Sequence, residues 1–252
     1  MLGLGLSFSA RPRGGQWSPA ALFTGADGAW YDIDPAYMFI DRSGTGAPAA
    51  VGQPVGTIVD RSGNANHAVA PSDAARGILR QSGGLYYIEL DGVDDCYGID
   101  GTMIVGVNYF NVVGFSKRTT VANGEWAIIG GTTGAANQRY ELKWRLVGGD
   151  LKFYAGQYAN DIPGVLAWSA APIVISHRLN NAGRILRANG AQIGSTSNTT
   201  KLLAWSPAYI GRSGYYIDAN FYGAVFLGRE PTANELTRTE KWFADRAGVT
   251  LP

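Results

Sequence analysis

The sequence predicts an all-β, antiparallel two-sheet sandwich closed by a single C-terminal α-helix. Three observations carry this. The 252 residues include 35 Gly, more than helices tolerate, because an unconstrained backbone costs entropy to order. Aromatic residues make up 12% of the chain, with 13 Tyr, 9 Phe and 7 Trp, types that suit a pleated, half-buried surface. Turn signals recur at a spacing of about 8–12 residues, as in sandwiches.

Composition also bounds function. At 46% hydrophobic and 16% charged residues, the chain is globular rather than disordered. No linker or composition shift divides it, so one large domain, residues 29–252, is expected. The net charge is +1 and no long basic run exists, so nucleic acid is not an expected partner. No stretch approaches the ~18 apolar residues a membrane span requires, so no membrane partner is expected. Cys96 is the single cysteine, which leaves stability to packing rather than disulfides. It reads as a small buried apolar residue, since a catalytic thiol needs a base and no histidine is near it in sequence.

Residues 1–28 form a separate N-terminal segment. Its start is apolar and Gly-rich, but the basic residues Arg11 and Arg13 follow instead of preceding it, unlike a secretory signal. Gly3 and Gly5 lack the preceding strand and the third glycine of a dinucleotide loop. Two readings stand: a docking arm for another subunit, or a frayed terminus.

Residues 30–35 read as a short strand closed by an acidic turn, and 43–48 as a loop. A strand near residue 57 runs into a turn containing Asp60, Ser62, Gly63 and Asn64, side chains suited to bonding their own backbone. His67 ends that turn and is read as bonded to its loop. The other histidine of the two, His177, is placed on the polar side of a strand over 173–179.

Tyr86 to Asp95 is the landmark of the chain. Tyr86, Ile88 and Leu90 alternate with Tyr87, Glu89 and Asp91, so a strand presents the first set to the core. Asp91-Gly92 then turns the chain, with Asp94 and Asp95 in the same bend. Further strands are predicted over 103–107, 112–116, 126–129, 140–147 and 151–154. Tyr140, Leu142, Trp144 and Leu146 share one face, and Gly148-Gly149-Asp150 forms a hairpin turn. Strands over 173–179 and 184–188 follow. Asn189-Gly190 signals a type I′ hairpin turn into 191–194, and 209–210 and 221–227 complete the series. Thr232-x-x-Glu235 is a capping box. Leu236, Trp242 and Phe243 make an apolar stripe, and Gly248 ends the helix, which is expected to cap one end of the sandwich.

Taken in order, Gln53-Pro-Val-Gly56, Asp60 to His67, Leu90 to Asp95, Ala188-Asn-Gly190 and Tyr222 to Arg229 resemble the laminin-G/concanavalin A-like jelly-roll superfamily. The resemblance covers residues ~30–250 and is nearest to the domains of tailed-phage and prophage structural proteins. It implies two stacked antiparallel sheets and a scaffold that often binds carbohydrate.

Glu89, Asp91 and Asp94 partly resemble the paired carboxylates of laminarinase-type glycosidases, in which one acts as nucleophile and one as general acid. Here Asp replaces the last Glu, and Gly92 ends the strand before it. Turn bonding is therefore the expected role of Asp91 and Asp94. A calcium site at Asp91, Asp94 and Asp95 is the alternative, because clustered carboxylates suit a hard cation. Sugar binding uses exposed rings beside amides and acids, which selects Tyr158, Asn160 and Trp168 in one polar-aromatic loop and Tyr215 and Tyr216 in another.

The resulting expectation is a non-enzymatic, homo-oligomeric virion protein of a phage-like particle. It docks other virion subunits through its N-terminal arm and binds host surface polysaccharide. The alternatives are a purely structural assembly protein and a divergent glycoside hydrolase.

Overall fold

The computed structural model describes residues 17–118, 125–132, 134–147, 150–164, 166 and 169–252. Among these residues, the chain forms an eight-stranded and a nine-stranded antiparallel sheet. The first (sheet A) runs β15 (Ala191–Thr196), β14 (Gly183–Ala188), β13 (Ile173–Asn180), β8 (Tyr109–Lys117), β17 (Asp218–Leu227), β6 (Leu85–Asp91), β5 (Ile78–Ser82). β1 (Gly28–Asp32) joins the C-terminal half of β17, where Gly28 to Asp32 face Leu227 to Gly223. The second (sheet B) runs β12 (Asn160–Gly164), β11 (Asp150–Gln157), β10 (Tyr140–Val147), β9 (Glu125–Gly131), β16 (Ala208–Ile210), β7 (Tyr97–Ile99), β4 (Ala68–Val69), β3 (Thr57–Ile58), β2 (Met38–Phe39).

The alternation of the sequence sets which side chains meet between the sheets. Ile88 and Leu90 of β6, Val113 and Phe115 of β8 and Phe221 and Phe226 of β17 meet Trp126, Tyr140, Leu142, Trp144 and Phe153 of sheet B in one core. At about 1.5–3 kcal/mol for each fully buried large apolar side chain, this layer dominates the stability. Asn189 and Gly190 both take positive φ, 47° and 81°, the geometry of the predicted type I′ turn.

The central strands of sheet A are buried on both faces. Phe110, Val112, Val174, Val225 and Leu227 point away from the first core and need a second cover. Helix α1 (Ala233–Ala247) supplies it with Phe243, Ala244 and Ala247. The helix passes over Gly114, where an added Cβ would meet the Ala247 Cβ at 3.7 Å. It thus lies flat on the outer face of sheet A and does not cap the end of the sandwich. The capping box of Thr232 and Glu235 is formed, and Gly248 closes the helix in the left-handed conformation.

Residues 19–23 of the N-terminal segment form a 3₁₀ turn whose Leu22 and Phe23 are buried in the same outer layer. Within residues 1–28, then, the part from Trp17 onward packs on the domain, and residues 1–16 lie outside the described residues. The strand expected over 103–107 is instead a 3₁₀ turn, Gly101–Ile104. The Asp100 carboxylate accepts from Thr102 N at 2.8 Å and captures the chain before it extends.

His177 corrects another expectation. It is fully buried on the core face of β13, in line with Ile175 and Leu179. Its Nδ1 lies 3.0 Å from the Tyr140 hydroxyl. Burial, reinforced by the nearby Arg184, pushes its pKa down to about 3, so the ring is neutral. His67 sits as predicted, its Nδ1 accepting from Asp60 N at 3.1 Å. Among the described residues, no helix is long and apolar enough to cross a membrane.

Candidate functional site

At one end of the sandwich, β6, β8, β9 and β17 terminate around a groove of about 470 Å³. Asp91, Gly92 and Val93 line it from the acidic bend, Lys117 and Trp126 from β8 and β9, and Gly214, Tyr215, Tyr216 and Asp218 from the approach to β17.

The acidic bend builds the first wall. Asp91 Oδ1 accepts from the amides of Val93, Asp94 and Asp95 at 2.8, 3.3 and 3.5 Å. Asp95 Oδ2 accepts in return from Asp91 N at 3.0 Å. Gly92 has φ 78°, and a Cβ there would stand 2.9 Å from the Asp218 Cβ, so glycine is required for β17 to come this close. The knot pushes Val93 outward, 72% exposed. Asp95 has its pKa raised to about 6, chiefly by burial and in part by the charges of Asp91, Asp94 and Glu89, against the help of the Asp91 amide.

The opposite wall is the 212–216 loop. Ser213 Oγ donates to Glu141 Oε1 at 2.7 Å, and Ser213 N donates to Tyr215 O at 3.1 Å. The Arg212 guanidinium lies 5.0 Å from the Tyr216 ring centre and 5.2 Å from that of Tyr209. The loop is thereby fixed on sheet B while Tyr215 remains 62% exposed.

Lys117 and Trp126 form the floor. Lys117 is 1% exposed, with Nζ 5.0 Å from the Trp126 ring centre. Burial lowers its pKa, and Asp218 opposes that shift. Arg118, the next residue, reaches Asp218 at 2.6 Å and Glu89 at 2.7 Å. Glu89 also pairs with Arg80 at 2.5 Å. For Glu89, burial favours the neutral acid, but Arg80 and Arg118 outweigh it and hold the pKa below the ordinary value.

The predicted site residues fall into separate places. Tyr215, Tyr216 and Asp91 line the groove, with Asp94 and Asp95 behind the bend. Tyr158 and Asn160 sit at the β11–β12 turn. The Arg139 guanidinium lies 4.5 Å from the Tyr158 ring centre. The Asn160 side chain donates to Asn137 Oδ1 at 2.7 Å and accepts from Asn198 Nδ2 at 2.5 Å, so it ties three loops together. Trp168 lies outside the described residues. The groove also contains Lys117 and Trp126, which sequence reasoning missed. Only the stacking of β8 in sheet A on β9 in sheet B brings them together, and no local spacing signals it.

The carboxylate oxygens of Asp91, Asp94 and Asp95 lie within 4.8 Å of one another. Oxygen ligands of this kind suit a hard divalent cation. One oxygen each of Asp91 and Asp95 is already directed at amides. The laminarinase-like pair is similarly committed, Glu89 to two guanidiniums and Asp91 to three amides.

Two stacked antiparallel sheets of this extent, with one helix on the outer face of the first, define a concanavalin A-like jelly roll. No protein-family profile matches the chain, and no curated protein sequence does. Solved structures do match. Domain 4 of AbnA, a GH43 extracellular arabinanase from Geobacillus stearothermophilus in complex with arabinotriose, aligns with TM-score 0.55 at 12% identity, over 88% of this chain and 98% of that one. The botulinum neurotoxin type G receptor binding domain aligns at 0.51 and 12%, over 73% and 48%. Trypanosoma rangeli sialidase in complex with 2,3-difluorosialic acid aligns at 0.55 and 12%, over 92% and 38%. This chain therefore spans about half of the toxin domain structure. At such identities the likeness is one of fold.

Proposed function

We propose that the protein is a non-enzymatic carbohydrate-binding module that holds a glycan chain in the end groove. One observation carries the reading: exposed Tyr215 lines the same groove as Tyr216, buried Trp126 and the carboxylates of Asp91 and Asp218. Sugars offer apolar C–H faces and hydroxyl edges. Rings stack against the first, and carboxylate oxygens accept from the second. Tyr215 presents its ring with two rotatable angles, so little freedom is lost on binding. The arabinotriose held by the similar arabinanase domain supports a carbohydrate reading of the scaffold.

The finer reading places the module on a phage-like particle as a homo-oligomer. The N-terminal arm docks it to other virion subunits, and the groove touches host surface polysaccharide. The support is the resemblance of the ordered sequence pieces to phage jelly-roll proteins.

A glycan array with the purified protein tests the first reading. Binding of at least one polysaccharide class, reduced about tenfold or more by Tyr215→Ala, is the expected result. Uniform absence of binding refutes it and leaves the assembly role. Deleting residues 1–15 tests the second reading: particles that lack the protein are expected, and normal incorporation refutes the arm.

A further inference from the structure

The charge around the groove is unevenly neutralised, and the imbalance bears on which glycans it admits. On the outer edge of sheet A, acids and bases alternate. Arg80 and Arg118 flank Glu89, and Arg118 also holds Asp218. Those two acids are compensated at contact distance. The acidic bend is different. Asp91, Asp94 and Asp95 place carboxylate oxygens within 4.8 Å of one another, and among the described residues no ion pair neutralises any of them. The nearby cations are turned elsewhere. Arg118 is committed to Glu89, Asp218 and the Leu90 carbonyl. Arg212 lies against the rings of Tyr209 and Tyr216. Among the described residues, Lys117 is the one cation lining the groove, and it sits 1% exposed beside the Trp126 ring. A ligand entering past exposed Asp91 and Val93 meets the negative rim before the amine.

We infer that the groove admits uncharged glycan chains, built from hexoses or N-acetylhexosamines, and turns away sialylated, uronic acid-containing or sulfated ones. The inference rests on the carbohydrate reading and narrows it to a ligand class. Unscreened like charges within a few ångströms in a half-enclosed site repel strongly, and the repulsion shortens with salt. The rim also gives neutral sugars what they need: carboxylate oxygens accept from hydroxyls, and charged acceptors make the stronger bonds.

The experiment measures binding of matched glycan pairs, each uncharged chain beside its sialylated, uronate or sulfated counterpart. It is run at low and high salt, in EDTA and again with added calcium. The expected result is retention of the uncharged member and affinity for the charged member lower by about tenfold or more at low salt, with the gap narrowing as salt rises. Asp94→Asn, behind the bend and outside the groove lining, is expected to narrow the gap between the two members by raising affinity for the charged one, and an unchanged gap overturns the inference. Equal or tighter binding of charged chains in EDTA overturns the inference. So does tight binding of charged chains in calcium alone, which would make the bend a cation bridge. Binding of no glycan at all brings down the carbohydrate reading itself, and this inference with it.

Discussion

Two acidic clusters flank the groove, and they are built on opposite terms. Under the 212–216 loop, Glu141 is 3% exposed and fully engaged, with Lys143 at 2.7 Å, Arg139 at 3.1 Å and Ser213 at 2.7 Å. Across the groove, the carboxylates of Asp91, Asp94 and Asp95 face backbone amides and one another. A buried charge is tolerable only when paired and hydrogen-bonded, so the first cluster holds the scaffold rigid. The second reaches a rim through exposed Asp91, where water completes its solvation, while Asp95 lies buried behind it. Pairing marks the frame here, and its absence marks the edge at which the proposed ligand would enter.

The largest expected effect breaks the frame. Glu141→Ala strands Lys143 beside the remaining Glu125 and frees the Ser213 anchor. A loss of about 3–5 kcal/mol is expected, since removing one partner leaves a buried charge. Denaturant unfolding measures it, and glycan affinity should fall with it because Tyr215 loses its fixed position. Burial pulls the Lys143 pKa down, but Glu141 and Glu125 outweigh it and hold the value above normal. The contribution of this pair is therefore present at neutral pH and lost only as the solution becomes strongly alkaline.

The rim answers in the opposite sense. Asp95 has its pKa raised to about 6 by burial, against about 3.9 in the unfolded chain. The folded state thus holds the proton more tightly than the unfolded state, and stability falls as pH rises between about 4 and 6. Asp95→Asn keeps an oxygen for the Asp91 amide and removes this penalty. A gain on the order of 1–3 kcal/mol at pH 7, with a flattened pH–stability profile, is expected. Thermal unfolding across pH 3 to 8 checks it, and an unchanged profile contradicts it.

Tyr215→Ala separates binding from stability. An exposed ring contributes within about 0.5 kcal/mol to folding, while its loss from a stacking surface weakens affinity about tenfold, or about 1.4 kcal/mol. Calorimetric titration beside a melting curve resolves the two. The smallest effect is expected at Glu89→Gln. Its partners Arg80 and Arg118 are partly solvent-screened, so stability drops by no more than about 1 kcal/mol and glycan binding persists. Release of reducing ends from β-glucans by the unaltered protein, abolished by this change, would instead establish hydrolysis.

Much of the frame was legible in the sequence. The alternation of Ile88 and Leu90 with Glu89, the Tyr140 to Trp144 face, the Asn189-Gly190 turn and the Thr232 capping box each rest on local rules that tertiary packing did not override. His177 was misplaced because β13 is buried on both sides. Its outer face carries Ser176, which donates to Glu240 on the helix, and Arg178, beside Glu230. Polar residues there marked contacts with the helical layer and its approach, not solvent, and alternation alone does not say which face is which. The helix was set at the wrong place for the same reason: the apolar outer positions Phe110, Val112 and Val225 only acquire meaning once the sheet order is known. In the groove, the tyrosine pair and the acidic bend were each visible as local patterns. Their meeting was not, because it depends on β17 passing beside Gly92 and on β8 and β9 delivering Lys117 and Trp126 from different sheets.

The most direct test is a crystal structure of the protein soaked with an uncharged oligosaccharide that it binds. The account predicts a sugar ring stacked on Tyr215, with hydroxyls directed to Asp91 or Asp218. A sugar ordered instead against Tyr158 and Arg139, with the end groove holding only solvent, would contradict it.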